Sequence, residues 1–195
     1  MTPAEEKSLL RRRALAEREK RDQLLVRRLS ENIREVISLS PVYREADALF
    51  LYAPIRGEVD LTPLCTEAFE RGIPVAFPRA SAGGEMTFYC MARDDSFDRD
   101  TYGIPCPPKG AEVARPTPKT LLLVPMVLGD EEGYRLGYGG GYFDRFLRVF
   151  PGVIRGVLPA CDLLPHLPRE PHDFPLPALI TEAGEVFPHF PHKEV

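Results

Sequence analysis

The stretch Leu121–Leu147 reads LLLVPMVLGDEEGYRLGYGGGYFDRFL, and three patterns succeed one another within it. LLLVPMVL, Leu121–Leu128, is a continuous apolar run, the mark of a strand buried on both faces. RLGYGGGYFD, Arg135–Asp144, sets Gly137, Gly139, Gly140 and Gly141 along one short turn, where backbone can take positive φ and approach a ligand closely. Phe143, Phe146, Leu147 and Phe150 then recur at helical spacing. A buried strand, a glycine turn and a helix N-terminus together favour a bound anion, typically phosphate. Arg135 adds positive charge, and Asp144 is a hard oxygen ligand suited to Mg2+. Neither common phosphate motif is present: no Lys follows the glycines, and a dinucleotide fingerprint would need glycine where Tyr142 stands. The bland alternative, a bare surface turn, would not require the flanking Arg and Asp.

Outward from this stretch, strand and helix patterns alternate. ALFLYA (Ala48–Ala53), Ile73–Phe77, Val153–Leu158 and Pro177–Thr181 read as strands, and Met86–Met91 as an antiparallel or edge strand after Gly83-Gly84. Asp60 resembles an N-cap, with Leu61, Leu64, Cys65, Ala68 and Phe69 at helical spacing behind it. The expected fold is α/β: a mostly parallel sheet flanked by helices on both faces, three layers in all, with ligands at the carboxyl ends of the strands. The loop Pro54–Asp60 falls at that edge. Pro3 to about Leu39, rich in Glu, Arg, Leu and Ala, predicts one long helix or two shorter ones. Lys7, Arg11 and Arg18 share a face of it, which charge pattern alone reads as solvated.

A chain of 195 residues fits one domain, residues 1–195, opened by the helical segment of about 3–39. With 44% hydrophobic and 28% charged residues it has the composition of a soluble globular protein, and a net charge of −4 gives no reason to expect nucleic acid. Cys65, Cys90, Cys106 and Cys161 are widely spaced, with no metal or disulfide pattern, which suits a reducing cytoplasm. No run is long enough for a membrane span, and the charged N-terminus is no secretory signal. The 21 prolines concentrate after Ile104, predicting stiff extended loops.

RLGYGGGYFDRFL resembles the signature of the 5-formyltetrahydrofolate cyclo-ligase family, also called 5,10-methenyltetrahydrofolate synthetases. The resemblance implies an ATP- and Mg2+-dependent closure of 5-formyltetrahydrofolate to the 5,10-methenyl form, with ATP as co-substrate and ADP and phosphate as products. Lys7-Ser-Leu-Leu-Arg11 matches a family Lys-x-x-x-Arg pair, implying ATP contact for Lys7 and both ATP and folate contact for Arg11. Arg135, Leu136, Gly137, Tyr138, Gly139, Gly140, Gly141, Tyr142 and Phe143 are implied around ATP. Ala53 and Glu58 join Arg11, Tyr138, Gly139, Gly140, Gly141 and Tyr142 around the folate. Asp144 and Asp173, the latter in His172-Asp173, are implied for Mg2+; Pro78-Arg79 matches a weaker phosphate or glutamate-tail contact. Arg12, Arg13 and Arg18 remain surface charge. No residue is assigned as a general base.

Three residues depart from the family pattern: Cys106 where Glu or Gln is usual, Gly129 where an aromatic is common and would wall the pterin, and Asp162 where Gln is common. Cys106 and Gly129 keep a rival open, a non-catalytic nucleotide- or folate-binding regulator. A sugar-phosphate isomerase or acyltransferase on a similar frame is a second, disfavoured by the paired magnesium-type aspartates. Small-molecule substrates, no membrane or nucleic acid, and a monomer or weak homodimer complete the expectation.

Overall fold

The computed structural model describes residues 1–81 and 83–188. The predicted N-terminal helical segment is two helices, α1 (Pro3–Glu19) and α2 (Gln23–Leu39). Thr2 and Glu5 close a reciprocal capping box on α1, and Asp22 caps α2 by accepting from Leu24 and Leu25 N–H. The break falls where the Asp22 carboxylate offers those donors a better partner than a continuing helix would. Ser40 then caps the single turn α3 (Pro41–Arg44).

The main sheet holds β1 (Leu49–Phe50), β2 (Val75–Ala80), β3 (Met86–Met91), β6 (Leu121–Pro125), β9 (Val153–Val157), β11 (Leu179–Thr181) and β12 (Gly184–Val186), in spatial order β12-β11-β9-β6-β1-β2-β3. Its five inner strands run parallel; β3 and β12 close the two edges antiparallel. Short pairs stand outside it: β4 (Asp98–Arg99) with β5 (Pro105–Cys106), and β7 (Leu128–Asp130) between β8 (Arg135–Leu136) and β10 (Leu163–Leu164). The edge strand Met86–Met91 lies where the sequence put it, whereas Leu121–Leu128 is two strands. Pro125 has no N–H to donate and ends β6, and the chain turns into β7 of another sheet.

Alternation along β1 and β6 sends side chains to opposite faces. Leu49, Leu51, Leu121 and Leu123 pack under Ile33 and Ile37 of α2, Tyr43 of α3, and Leu64 and Ala68 of α4 (Leu64–Glu70). Ala48, Phe50, Leu122 and Val124 pack against Phe143, Phe146, Leu147 and Phe150 on and after α5 (Tyr142–Leu147), with Phe174 and Leu176 from the proline-rich chain. Helices therefore cover both faces, but the second is covered by one six-residue helix and extended chain. Asp60 is not the cap of α4: its Oδ1 accepts from the N–H and hydroxyl of Thr62, making a local turn, and the helix begins after Pro63. Gly129 is also corrected. A Cβ there would lie 2.5 Å from Met126 Cε and 3.0 Å from Leu158 Cδ1, so the residue fills core and walls no ring.

α1 sits apart from both faces. Its Leu10, Ala14 and Leu15 pack on Val127, Leu128, Leu136 and Leu167, holding the helix over the small β7–β8 sheet. The chain leaves β1 for β2 on one side and reaches β6 on the other, so the strand order reverses there, and open parallel sheets bind ligands at such a crevice.

Candidate active site

Three segments meet at that crevice: the loop after β1, the β8–α5 turn after β6, and α1 laid across them. The turn carries the glycines. Gly139 (φ 99°) and Gly141 (φ 66°) are left-handed, a conformation other residues adopt only under strain. Arg11 Nε donates to Gly137 O at 2.7 Å, and a Cβ on Gly139 would meet the Arg11 guanidinium at 3.4 Å. The N-terminal helix thus reaches the turn through Arg11.

Arg135 enters from β8 with its side chain buried, donating Nη2 to Asp144 Oδ1 at 2.7 Å, its guanidinium 5.5 Å from the Phe143 ring centre. Burial pulls the guanidinium down from its usual range, and the charges of Asp144 and then Asp173 pull it back up, so both aspartates act on one cation. Lys7 is buried and donates Nζ to Asp173 Oδ1 at 2.7 Å and to Glu170 Oε2 at 3.0 Å. Glu170, His172 and Asp173 bring one donor atom each within 4.8 Å of one another. The carboxylate oxygens of Glu170 and Asp173 are the kind of donor Mg2+ takes, so this cluster fits a hard divalent ion; Asp144 is not part of it and pairs with Arg135 instead. Leu136 and Ala53 are buried in core, leaving mainly their backbone for a ligand.

Glu58 lies in the loop after β1, 6% exposed, where Oε2 accepts from Ile55 N–H at 3.0 Å and Oε1 has no partner among the described residues. Burial pushes its carboxyl up to about 7, against the lowering effects of the Ile55 N–H, Arg18 and the Tyr138 hydroxyl beside it. Folded and unligated, the carboxyl holds its proton more tightly than when unfolded. Its contribution to stability is full below about pH 4.5 and lost as pH rises through about 7, on the order of 3 kcal/mol in all. Ligand-free protein should therefore weaken between about pH 5 and pH 8, and Glu58→Gln should flatten that slope. Equal slopes in chemical unfolding of both proteins would contradict the assignment.

Tyr138 therefore stands at Glu58, but Tyr142 does not. Its ring packs where a Gly140 Cβ would come within 2.7 Å, lies 5.4 Å from the Arg145 guanidinium carbon, and its hydroxyl meets that of Tyr102 at 3.4 Å. Arg145, which sequence reading passed over, donates to Gly140 O at 2.9 Å and Gly84 O at 2.8 Å, tying the turn to the β2–β3 connection. Its place four residues after Gly141 was the available signal. Arg79 is not at the site: it donates to the carbonyls of Pro107 and Pro108 and lies 4.6 Å over Tyr89. Arg18 is no surface charge but a 3% exposed side chain. Arg18 and Arg21 both pair with Asp162. A groove of about 650 Å3 between α1, α2 and the Arg56–Pro63 loop is lined by Arg18 and Arg21 and by no residue of the glycine turn.

The model of the 5-formyltetrahydrofolate cyclo-ligase family matches residues 3–182 of the chain. The chain is 29% identical over 144 residues to the 5-formyltetrahydrofolate cyclo-ligase of Escherichia coli K12, covering 70% of this chain and 78% of that protein. It is 27% identical over 141 residues to that of Haemophilus influenzae, covering 68% and 74%. The structure matches the NMR structure of Aquifex aeolicus 5,10-methenyltetrahydrofolate synthetase with a TM-score of 0.81 and 33% identity, over 96% of this chain and 97% of that one. The 5,10-methenyltetrahydrofolate synthetase of Mycoplasma pneumoniae shares the fold, with a TM-score of 0.73 at 21% identity over 90% and 98%.

Proposed function

This chain belongs to the 5-formyltetrahydrofolate cyclo-ligase family and is an enzyme of that class, and from that premise we propose that it closes 5-formyltetrahydrofolate to 5,10-methenyltetrahydrofolate while ATP becomes ADP and phosphate. The observation that carries the reading is the convergence on one turn nearly free of side chains. Arg11 and Arg145 bind its carbonyls, and Arg135 and Lys7 lie beside it among Asp144, Asp173 and Glu170. Such a cluster suits a polyphosphate with a divalent ion; a bare surface turn would leave the buried cations unexplained.

A formamide oxygen is a poor leaving group. Transfer of the γ-phosphoryl group to it gives an imidate phosphate; N10 then attacks the formyl carbon and gives up its proton to a phosphate oxygen, and hydrogen phosphate departs with the former formyl oxygen. The chain's part is to align these groups and balance charge. Lys7, Arg11 and Arg135 face the phosphates with the N–H groups of Gly137–Gly141. Asp144 and Asp173 would hold Mg2+, which would supply positive charge to offset that of the phosphoryl groups. Glu58 accepts from the donor edge of the pterin, which prefers the carboxylate, so folate affinity should rise with pH through about 7. The four free cysteines suit a reducing, cytoplasmic setting, and no helix among the described residues is long and apolar enough to cross a membrane. The regulator reading loses the support of Gly129, where a Cβ would meet Met126 and Leu158 in the core.

The test is the absorbance of methenyl product formed from 5-formyltetrahydrofolate with ATP and Mg2+; omission of either should abolish it. A second, smaller test addresses the turn. Gly140→Val places its side chain against the Tyr142 ring and should displace that ring from Arg145, raising the ATP KM about tenfold, or ~1.4 kcal/mol. A folded variant with the parent ATP KM would reduce Gly140 to a spacer.

A further inference from the structure

Among the described residues three buried polar atoms by the crevice make no hydrogen bond, Glu58 Oε1, Arg18 Nη1 and Arg135 Nε, and the first two are of opposite kind. Glu58 Oε1 is an acceptor and Arg18 Nη1 a donor, on side chains from residues 6% and 3% exposed. All the hydrogen bonds of Arg18 leave from Nη2: to Met126 O and Val127 O at 2.9 Å each, and to Asp162 Oδ2 at 3.1 Å. A guanidinium is a rigid fork, so fixing one arm at the end of β6 fixes the direction of the other. Its stem is fixed as well: the left-handed Arg56-Gly57 turn, which leads directly into Glu58, packs on Arg18, with Cγ 3.3 Å from where a Gly57 Cβ would lie. Arg18 and Glu58 form no ion pair among the described residues, yet the charge of Arg18 acts on both the Glu58 carboxyl and the Tyr138 hydroxyl. Beyond the Tyr138 hydroxyl beside Glu58, a buried donor and a buried acceptor with no hydrogen bond among the described residues mark where a ligand presents the complementary pattern.

We propose that Arg18 is a specificity-determining residue of the folate site, its Nη1 donating to the 4-oxo group of the pterin while Glu58 accepts from the adjoining N3–H and 2-amino group. This rests on the folate reading above. The pyrimidinone edge of a pterin carries one acceptor followed by two donors, the complement of a guanidinium arm beside a carboxylate. The departure at residue 162 fits the same account. The glutamine common there in the resembling family has an amide that both donates and accepts; Asp162 only accepts, and Arg18 and Arg21 engage both its oxygens. The donor to the ligand is then Arg18, and Asp162 acts through it as a positioning residue.

The experiment compares calorimetric affinities for 5-formyltetrahydrofolate and its 4-amino-4-deoxy analogue, in which the 4-oxo acceptor becomes a donor and N3 loses its hydrogen, so that the contacts of Arg18 and Glu58 both change and the share due to Arg18 is read from the variants. Wild-type protein should prefer the 4-oxo compound at least roughly ten- to a hundredfold, since the analogue mismatches Arg18 at position 4 and Glu58 at N3. Arg18→Gln should reduce that ratio about tenfold or more, Arg18→Lys should retain part of it, and ATP affinity should hold in both where thermal melts show them folded. A residue that only braces the fold would weaken both pterins equally and leave the ratio alone. Equal binding of the two compounds by wild-type protein, a measurement independent of any variant, or a folded Arg18→Gln with the wild-type ratio overturns the proposal. If wild-type protein binds neither pterin and forms no methenyl product, the folate reading falls and the proposal with it.

Discussion

Asp144→Asn is expected to lower kcat/KM for ATP by about a hundredfold or more, while the melting temperature falls by only a few degrees. Asparagine keeps an oxygen for the 2.7 Å contact with Arg135 but loses the charge. The stability change is that of a weakened charge-assisted hydrogen bond, about 1–2 kcal/mol, because Arg135 still feels Asp173. Three roles are open to the carboxylate. As a helix-end charge it would matter little, since α5 has six residues and the side chain turns to Arg135. As a holder of Arg135 it would matter to catalysis without regard to metal. Only the metal role predicts that raising Mg2+ recovers part of the lost rate. The check is kcat/KM for ATP across a Mg2+ titration, beside a melt. Parent turnover at every Mg2+ level would remove Asp144 from the phosphate site, and a deficit blind to Mg2+ would leave it as the positioner of Arg135.

Lys7→Gln should be as damaging, through a different parameter. Lys7 is the cation nearest to Glu170 and Asp173, and without it those two carboxylates face incoming ATP unbalanced. Removing one member of a buried pair leaves the other charge uncompensated. The ATP Kd should rise about a hundredfold, whereas affinity for 5-formyltetrahydrofolate alone should change by less than about threefold. Lys7→Arg should recover part of the ATP affinity, since charge is kept and geometry is not. Calorimetric ATP binding by folded Lys7→Gln at the parent affinity would make Lys7 a structural tie between α1 and the Glu170–Asp173 loop.

Much of the frame was legible because it follows local rules. The apolar run at Leu121, the glycine turn and the helical phenylalanines each carry their own signal, and period and punctuation place them in order. The site was legible where residues flank that turn, as Arg135 and Asp144 do. What escaped depends on partners far away in the chain. Arg18 lies on a helix whose charges surround it almost evenly, so no stripe marks it as buried, and its anchor at Asp162 stands 144 residues on. Gly129 read as a gap in a pocket wall until Met126 and Leu158 were seen to occupy the space a side chain would need. Arg79 had the right neighbour in sequence, Pro78, but its acceptors are the carbonyls of Pro107 and Pro108. Periodicity reports which face of an element is apolar; it does not report which polar group meets which across a fold.

The central claim is that the formyl oxygen is phosphorylated before the ring closes. Substrate labelled with 18O at the formyl oxygen, incubated with protein, unlabelled ATP and Mg2+ in ordinary water, tests it directly by mass spectrometry of the phosphate released. The account predicts one 18O in each phosphate formed alongside methenyl product. Methenyl product accompanied by unlabelled phosphate, with the label lost to water, would contradict it.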